Sequence, residues 1–352
     1  VRDRGTRDGP IIPYVPEATP EASLDPLLTD YIRRELEKIQ DTLAAVVPDV
    51  ALLRTRGGRR NFFMNGNFDI WQRGISSGGG AYGADRWFFG RVGGSATFAK
   101  TDFVLGQTYV PSASRSYLRV TFTGGTGAGD YVNLYQRIED ARITAGRQLT
   151  LSFYARSVGA NRNLSVGALQ TSNGVGISTS PVKKFALSAD AWQKCTHTFN
   201  TPSLLGQTLT DPTSLQVEFW LSAGSTFNPR SDSLGVQSGT IDITSVQIEE
   251  GGVATDFERL SVAEEMANCM RYYQVGGQQL YGYVSGPTVI LRYDRLGINM
   301  RATPVVAVQA TYYGNAQNAV GSGSINSIRL SVDCPAAGMG NAVVFWAADA
   351  EL

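Results

Sequence analysis

Between Asn61 and Ile248, apolar and polar residues alternate in short runs, each cut off by glycine, asparagine or serine, with no helical period between them. A side-chain period of two belongs to strands with one buried face. Candidate strands are Phe63 with Phe68–Ile70, Trp87–Phe89, Ala96–Phe98, Tyr117–Phe122, Val132–Ile138, Gln148–Arg156, Leu164–Leu169, Gln193–Phe199, Leu215–Leu221 and Thr240–Ile248. The sixth alternates most cleanly, placing Leu149, Leu151, Phe153 and Ala155 on one face. About ten such strands predict two antiparallel sheets packed face to face. The 39 glycines and the low charged fraction of 18% suit strands joined by tight turns.

At 352 residues the chain has room for two or three domains. Lys plus Arg number 31 and Asp plus Glu number 31, so no net field draws a polyanion, and no basic stripe of the nucleic-acid-binding kind stands out. Cys195, Cys269 and Cys334 are odd in number and far apart, which reads as buried thiols in a reducing cytoplasm. With His197 the sole histidine, a zinc site lacks ligands, and the expectation is no metal. No window approaches the ~20 apolar residues of a membrane span, and the charged start Val1-Arg2-Asp3-Arg4 lacks the apolar core of a cleaved export signal.

Residues 1–23 form an extended arm, since Pro10, Pro13, Pro16 and Pro20 remove donors and fix φ. Ile11, Ile12, Tyr14 and Val15 are its apolar contacts, suited to a sister chain or a larger partner; a disordered tail is the alternative. Residues 24–48 form an amphipathic helix, capped by Ser23 or Asp25 with Pro26 in its first turn. Leu28, Ile32, Leu36, Ile39, Leu43 and Val46 make its apolar stripe, which fits a short parallel bundle or docking on the same chain. A basic linker, 49–60, leads to the sandwich, 61–260. A connecting helix, 261–275, docks through Leu260, Ala263, Ala267 and Met270, and a C-terminal β-domain occupies 276–352 after Gly276-Gly277. Its expected strands are Gln279–Val284, Thr288–Tyr293, Val305–Thr311, Ile325–Val332 and Ala342–Trp346. The fold class is mostly β: an antiparallel jelly-roll sandwich plus a smaller C-terminal β-domain, preceded by the arm and one short helix.

Two phrases carry a family likeness. Asn65-Gly66-Asn67-Phe68-Asp69-Ile70-Trp71-Gln72-Arg73-Gly74 with Ala84-Asp85-Arg86-Trp87, and Val246-Gln247-Ile248-Glu249-Glu250-Gly251 running on to Phe257-Glu258, resemble the opening and closing strands of a jelly roll found in tailed-bacteriophage tail fibres, head fibres and spikes. Asn299 to Pro304 resembles a phrase of phage-fibre C-terminal domains. The likeness covers about 61–273 and implies a carbohydrate-binding-module or galactose-binding-like fold whose first and last strands pair. It further implies a virion protein assembled in the bacterial cytoplasm, homotrimeric, held to other virion proteins by the arm and displaying β-domains to a host surface glycan. Tail and head attachment, or a purely architectural role, stay open, and a polysaccharide-degrading spike is the enzymatic alternative.

A sugar platform needs an exposed aromatic face beside amide, carboxylate or guanidinium groups. Trp71 beside Asp69 and Gln72 is one candidate; Tyr281 and Tyr283 on one strand face, and Tyr312-Tyr313 at the end of another, are the rest. Trp87 and Trp220, next to phenylalanines, read as core. The carboxylate pairs Glu249-Glu250, Glu264-Glu265 and Asp69 with Asp85 fit poorly the two carboxyls across a cleft that glycoside hydrolysis needs, so no catalytic residue and no enzyme is expected. His197 reads as a satisfied, half-buried ring. No cofactor is called for, although Asp69, Asp85 or Glu249 could help hold a structural calcium ion.

Overall fold

The computed structural model describes residues 59–111 and 114–352. The arm residues Ile11, Ile12, Tyr14 and Val15 and the helix stripe Leu28 to Val46 lie outside the described residues. From Arg60 to Leu352 the chain forms one compact unit with two cores.

The larger core sits between two antiparallel sheets. The strands are β1 (Ser76–Ser77), β2 (Ala81–Tyr82), β3 (Phe88–Val92), β4 (Ser95–Asp102), β5 (Ser116–Thr123), β6 (Tyr131–Glu139), β7 (Gln148–Val158), β8 (Arg162–Ser172), β9 (Val175–Thr179), β10 (Lys183–Leu187), β11 (Gln193–Asn200), β12 (Thr213–Ala223) and β13 (Ser238–Glu250). One sheet runs β1-β4-β5-β13-β7-β11; the other runs β10-β8-β12-β6-β3-β2, with β9 on β8. This is the jelly-roll sandwich expected from the alternation. Leu149, Leu151, Phe153 and Ala155 of β7 are all buried, facing Phe219 and its neighbours across the layer. The short edge strands β9 and β10 were not legible, because their side chains are mostly exposed or half-exposed.

Phe63 and Phe68–Ile70, expected as strand, belong to no strand. Asn65 and Phe68 have φ of 55° and 57°, a left-handed conformation that breaks any extended run and is rare for a bulky residue. Burial of the Phe68 ring and a bond from the Trp71 indole N–H to the Phe68 carbonyl (2.7 Å) hold it there. The segment still meets the closing strand: Phe62 N–H donates to the Ile248 carbonyl (2.9 Å) and Val246 N–H to the Gly66 carbonyl (2.9 Å). Asn61 completes the seam, its Nδ2 donating to Val246 O and its Oδ1 accepting from Ile248 N–H. Gly66 permits this approach, since a Cβ there would lie 2.2 Å from the Val246 carbonyl oxygen. Gly66→Ala is therefore expected to destabilise the sandwich by about 2–4 kcal/mol, through loss of these buried bonds. Equilibrium denaturation checks this; a change under ~0.5 kcal/mol contradicts it.

Helix α1 (Val262–Met270) starts at a capping box in which Ser261 Oγ accepts from Glu264 N–H and Glu264 Oε2 accepts from Ser261 N–H. The docking face differs from the expected one. Cys269 is its buried residue, whereas Ala263 is exposed and Leu260, Ala267 and Met270 are half-buried.

The C-terminal part is a second, smaller sandwich. Its strands are β14 (Tyr273–Val284), β15 (Thr288–Arg295), β16 (Val305–Gly314), β17 (Gln317–Ser324), β18 (Ser327–Cys334) and β19 (Gly338–Asp349). They form two three-stranded sheets, β14-β19-β16 and β15-β18-β17, around Leu280, Leu330, Val332, Val344 and Trp346. Gly276 and Gly277 lie inside β14, not ahead of it. They are glycine because the cross-strand rings of Trp346 and Phe345 fill the places their Cβ atoms would take.

The two sandwiches join through a buried polar node. Arg86 is almost fully buried, its Cζ 3.4 Å from the centre of the Tyr272 ring; it forms an ion pair with Glu351 and donates to the Arg137 carbonyl (2.6 Å). Arg73 stacks on Tyr273 (3.6 Å) and reaches Asp349 (3.1 Å) and Glu351 (3.4 Å). Gln72 donates to the Tyr273 carbonyl, and Arg301 Nε lies 3.4 Å from Glu139 Oε1 at the end of β6.

Candidate functional site

The outer face of the β14-β19-β16 sheet is the most conspicuous exposed surface. Alternation sends Leu280, Val344 and Trp346 inward and leaves Val275, Tyr281, Tyr283, Val305, Tyr313, Met339 and Phe345 substantially exposed. Register sets the rows. Tyr281 and Tyr313 both lie opposite Asn341, one on each side, and Tyr283 lies opposite Met339. Direct cross-strand neighbours have Cβ atoms about 4.5–5.5 Å apart, so the row reads tyrosine, amide, tyrosine. Gln279 Nε2 donates to Asn341 Oδ1 (3.1 Å), which fixes the asparagine and leaves its own N–H groups without a protein partner among the described residues. Further along, Val275, Phe345, Ala307 and Ala347 line a shallow, mostly apolar trough of about 530 Å³. From the Val275 row to the Tyr283 row the face carries no Asp, Glu, Lys or Arg. Such a surface can stack the C–H faces of a sugar ring on tyrosine and meet its hydroxyls with amides, without any charge to desolvate.

Three of the four tyrosines named from sequence thus share this face. Tyr312 has the opposite parity, and its hydroxyl accepts from Ala319 N–H (2.7 Å). Trp71 is half-buried, packed on Phe89 with ring centres 5.8 Å apart, so its ring supports the core and is not presented as a platform. Asp69 accepts from the Ser116 hydroxyl (2.6 Å) and borders a groove in the jelly roll. Asn341 and Gln279 were missed by sequence reasoning; only the pairing of β19 with β14 and β16 reveals that they sit among tyrosines.

The remaining chemical groups are engaged in structure. Asp85 accepts from Gln72 N–H (3.0 Å), and burial raises its pKa. Glu249 is buried and accepts from Thr255 N–H and Oγ1. Glu250 pairs with Arg147 at the surface, Glu264 caps α1, and Glu265 accepts from Asn65 N–H. No cluster of three or more His, Cys, Asp or Glu suited to a metal occurs among the described residues. The three cysteines are free and buried, and burial pushes the Cys195 thiol up to about 12. His197 Nε2–H donates to the Pro181 carbonyl (2.8 Å); burial holds its pKa below the ordinary value. Trp87 and Trp220 are both buried. Trp220 is buried as expected, on the side of β12 away from the inter-sheet cluster, under Phe227 and Arg230, its indole N–H donating to buried Glu218 (3.2 Å). No helix among the described residues is long and apolar enough to cross a membrane.

No family model matches the chain, and no curated protein matches it. Solved structures give low similarities. A CBM4 structure is 20% identical, covering 53% of this chain and 98% of that one, with a TM-score of 0.32. The family 11 carbohydrate-binding module from Clostridium thermocellum, in complex with a β-1,3-1,4-mixed-linked tetrasaccharide, is 16% identical over 51% and 96%, at 0.31. The enzymatically active domain of bacteriophage CBA120 tailspike protein 4 is 12% identical over 54% and 21%, at 0.32. The jelly roll is defined by the chain's own two antiparallel sheets.

Proposed function

We propose that this chain is a non-enzymatic appendage protein of a bacteriophage virion that adheres to a host surface glycan through the β14-β19-β16 face. The observation that carries the adhesive role is the row Tyr281, Asn341, Tyr313 on a face free of charged side chains. The virion role is supported by the resemblance of the Asn65–Gly74, Ala84–Trp87 and Val246–Glu258 phrases to phage appendage modules. In this reading the N-terminal arm grips other virion proteins, and residues 24–48 gather the chain into a homotrimer. Several weak sites then act together on one surface.

The test is an array of bacterial surface glycans probed with the full chain. Binding to at least one neutral glycan is expected, with about a hundredfold loss in Tyr281→Ala/Tyr313→Ala, since two stacked aromatics supply most of the contact energy. Release of new reducing ends would instead establish the enzymatic alternative. Imaging labelled copies on intact particles distinguishes tail from head attachment, and absence from particles refutes the virion role.

A further inference from the structure

The outer face of the six-stranded jelly-roll sheet is basic, in a chain whose charges balance overall. Arg115 just before β5, Arg119 within it, Arg156 on β7 and Lys194 on β11 share that side, brought together by the register that sets Arg119 and Arg156 on either side of Asp242. Asp242 is wholly buried and accepts from Arg119 Nε (2.8 Å) and Nη2 (2.9 Å) and from Arg156 Nε (2.8 Å). It fixes both guanidiniums, while Arg119 Nη1 and both terminal nitrogens of Arg156 have no protein partner among the described residues. Two guanidiniums therefore share one buried anion, Arg115 and Lys194 add charge further along the same side, and the carboxylates nearby are Asp102 in the adjoining groove and Asp256 beside Tyr154, the cross-strand neighbour of Lys194.

Aromatic rings adjoin this cluster. Phe103, Tyr117 and Trp192 pack with centres 4.7–5.4 Å apart, and Arg156 lies 5.0 Å over Trp192. Phe103 is also a wall of the groove that Asp69 borders, about 710 Å³ in volume, whose charged lining is Lys100, Arg115 and Arg259 with Asp69 and Asp102, Lys100 Nζ being bonded to the Asp69 carbonyl (2.9 Å).

We propose that this face binds an acidic polysaccharide through its carboxylates, as a site separate from the uncharged tyrosine face. The two terminal nitrogens of Arg156, held by its Nε bond to Asp242, match a carboxylate's two oxygens, Arg119 Nη1 adds a single donor, and an aromatic cluster at one end suits a sugar ring. A single-stranded nucleic acid favours stacking rings spaced along a groove, whereas these three are clustered in mutual contact. The proposal stands whether or not the tyrosine face binds sugar.

The experiment titrates the full chain with polygalacturonate, alginate and polysialic acid. Methyl-esterified polygalacturonate and a single-stranded oligonucleotide serve as controls. Binding to at least one acidic glycan is expected, weakened several-fold by raising salt from 50 to 500 mM (order of magnitude) and about tenfold in Arg115→Ser/Lys194→Ser. That pair leaves Asp242 and its two partners intact, and an unchanged thermal midpoint confirms folding. Tyr281→Ala/Tyr313→Ala should bind acidic glycan as the parent does. No binding to any of the three, equal binding to the esterified polymer, or tighter binding to the oligonucleotide overturns the proposal.

Discussion

Arg86→Met is expected to lower the unfolding free energy by about 3–5 kcal/mol, the range for breaking a buried ion pair by removing one partner. The guanidinium is out of water, paired with Glu351, bonded to the Arg137 carbonyl and stacked on Tyr272. Without it, the buried Glu351 carboxylate keeps only Arg73, at 3.4 Å. At 2–4 °C per kcal/mol for a unit somewhat smaller than this one, the midpoint should fall by about 10 °C. Glu351→Gln should cost less, and the double variant should fall short of the two singles combined by about 1–3 kcal/mol, the sign of direct coupling. Additive losses, or a loss under ~1 kcal/mol for Arg86→Met, would show that the node does not hold the sandwiches together. The same node argues against probing the C-terminal sandwich by deleting it, since deletion strips Arg86 of its partner.

Trp87→Ala should cost as much or more. The ring lies 4.9–5.9 Å, centre to centre, from Phe68, Phe63 and Phe219, bridging the opening segment to the far sheet. Large-to-small changes of this kind cost about 3–5 kcal/mol. The indole N–H also donates to the buried Asn65 carbonyl (3.0 Å), and an orphaned carbonyl adds about 1–3 kcal/mol. Trp87→Phe separates the two contributions, because it keeps most of the volume and loses the bond. Urea midpoints at constant m-value measure both. A Phe variant as damaged as the Ala variant would mean that the hydrogen bond, and not the packing, dominates.

Where one face of a strand is buried, the sequence was readable. The alternation from Gln148 to Arg156 located β7 and its core face, and the parity of Tyr281 and Tyr283 placed them together. Reading failed where backbone or packing contradicts composition. Left-handed Asn65 and Phe68 turn an apolar run into a coil. Gly276-Gly277 looks like a linker until Trp346 and Phe345 occupy the space. Strand β17 was missed because its inward positions Gly321 and Gly323 stay small under Val306, Val308 and Pro304. Nor could the basic face be foreseen. Arg115 and Lys194 are remote in sequence, and only the order β5-β13-β7-β11 brings them to one side.

The phrases that carry the family likeness turn out to be structural. Asn65 Nδ2 donates to the carbonyls of Ile70 and Asp85, its Oδ1 accepts from Ile70 N–H, and Arg86 reaches into the C-terminal sandwich. They explain how the jelly roll carries a second sandwich.

The most direct measurement is a crystal structure of the full chain with a neutral glycan selected on the array. A sugar ring stacked on Tyr281 or Tyr313, with a hydroxyl in hydrogen-bond reach of Asn341, is the predicted result. The glycan bound elsewhere, with those tyrosines bare, would contradict the account.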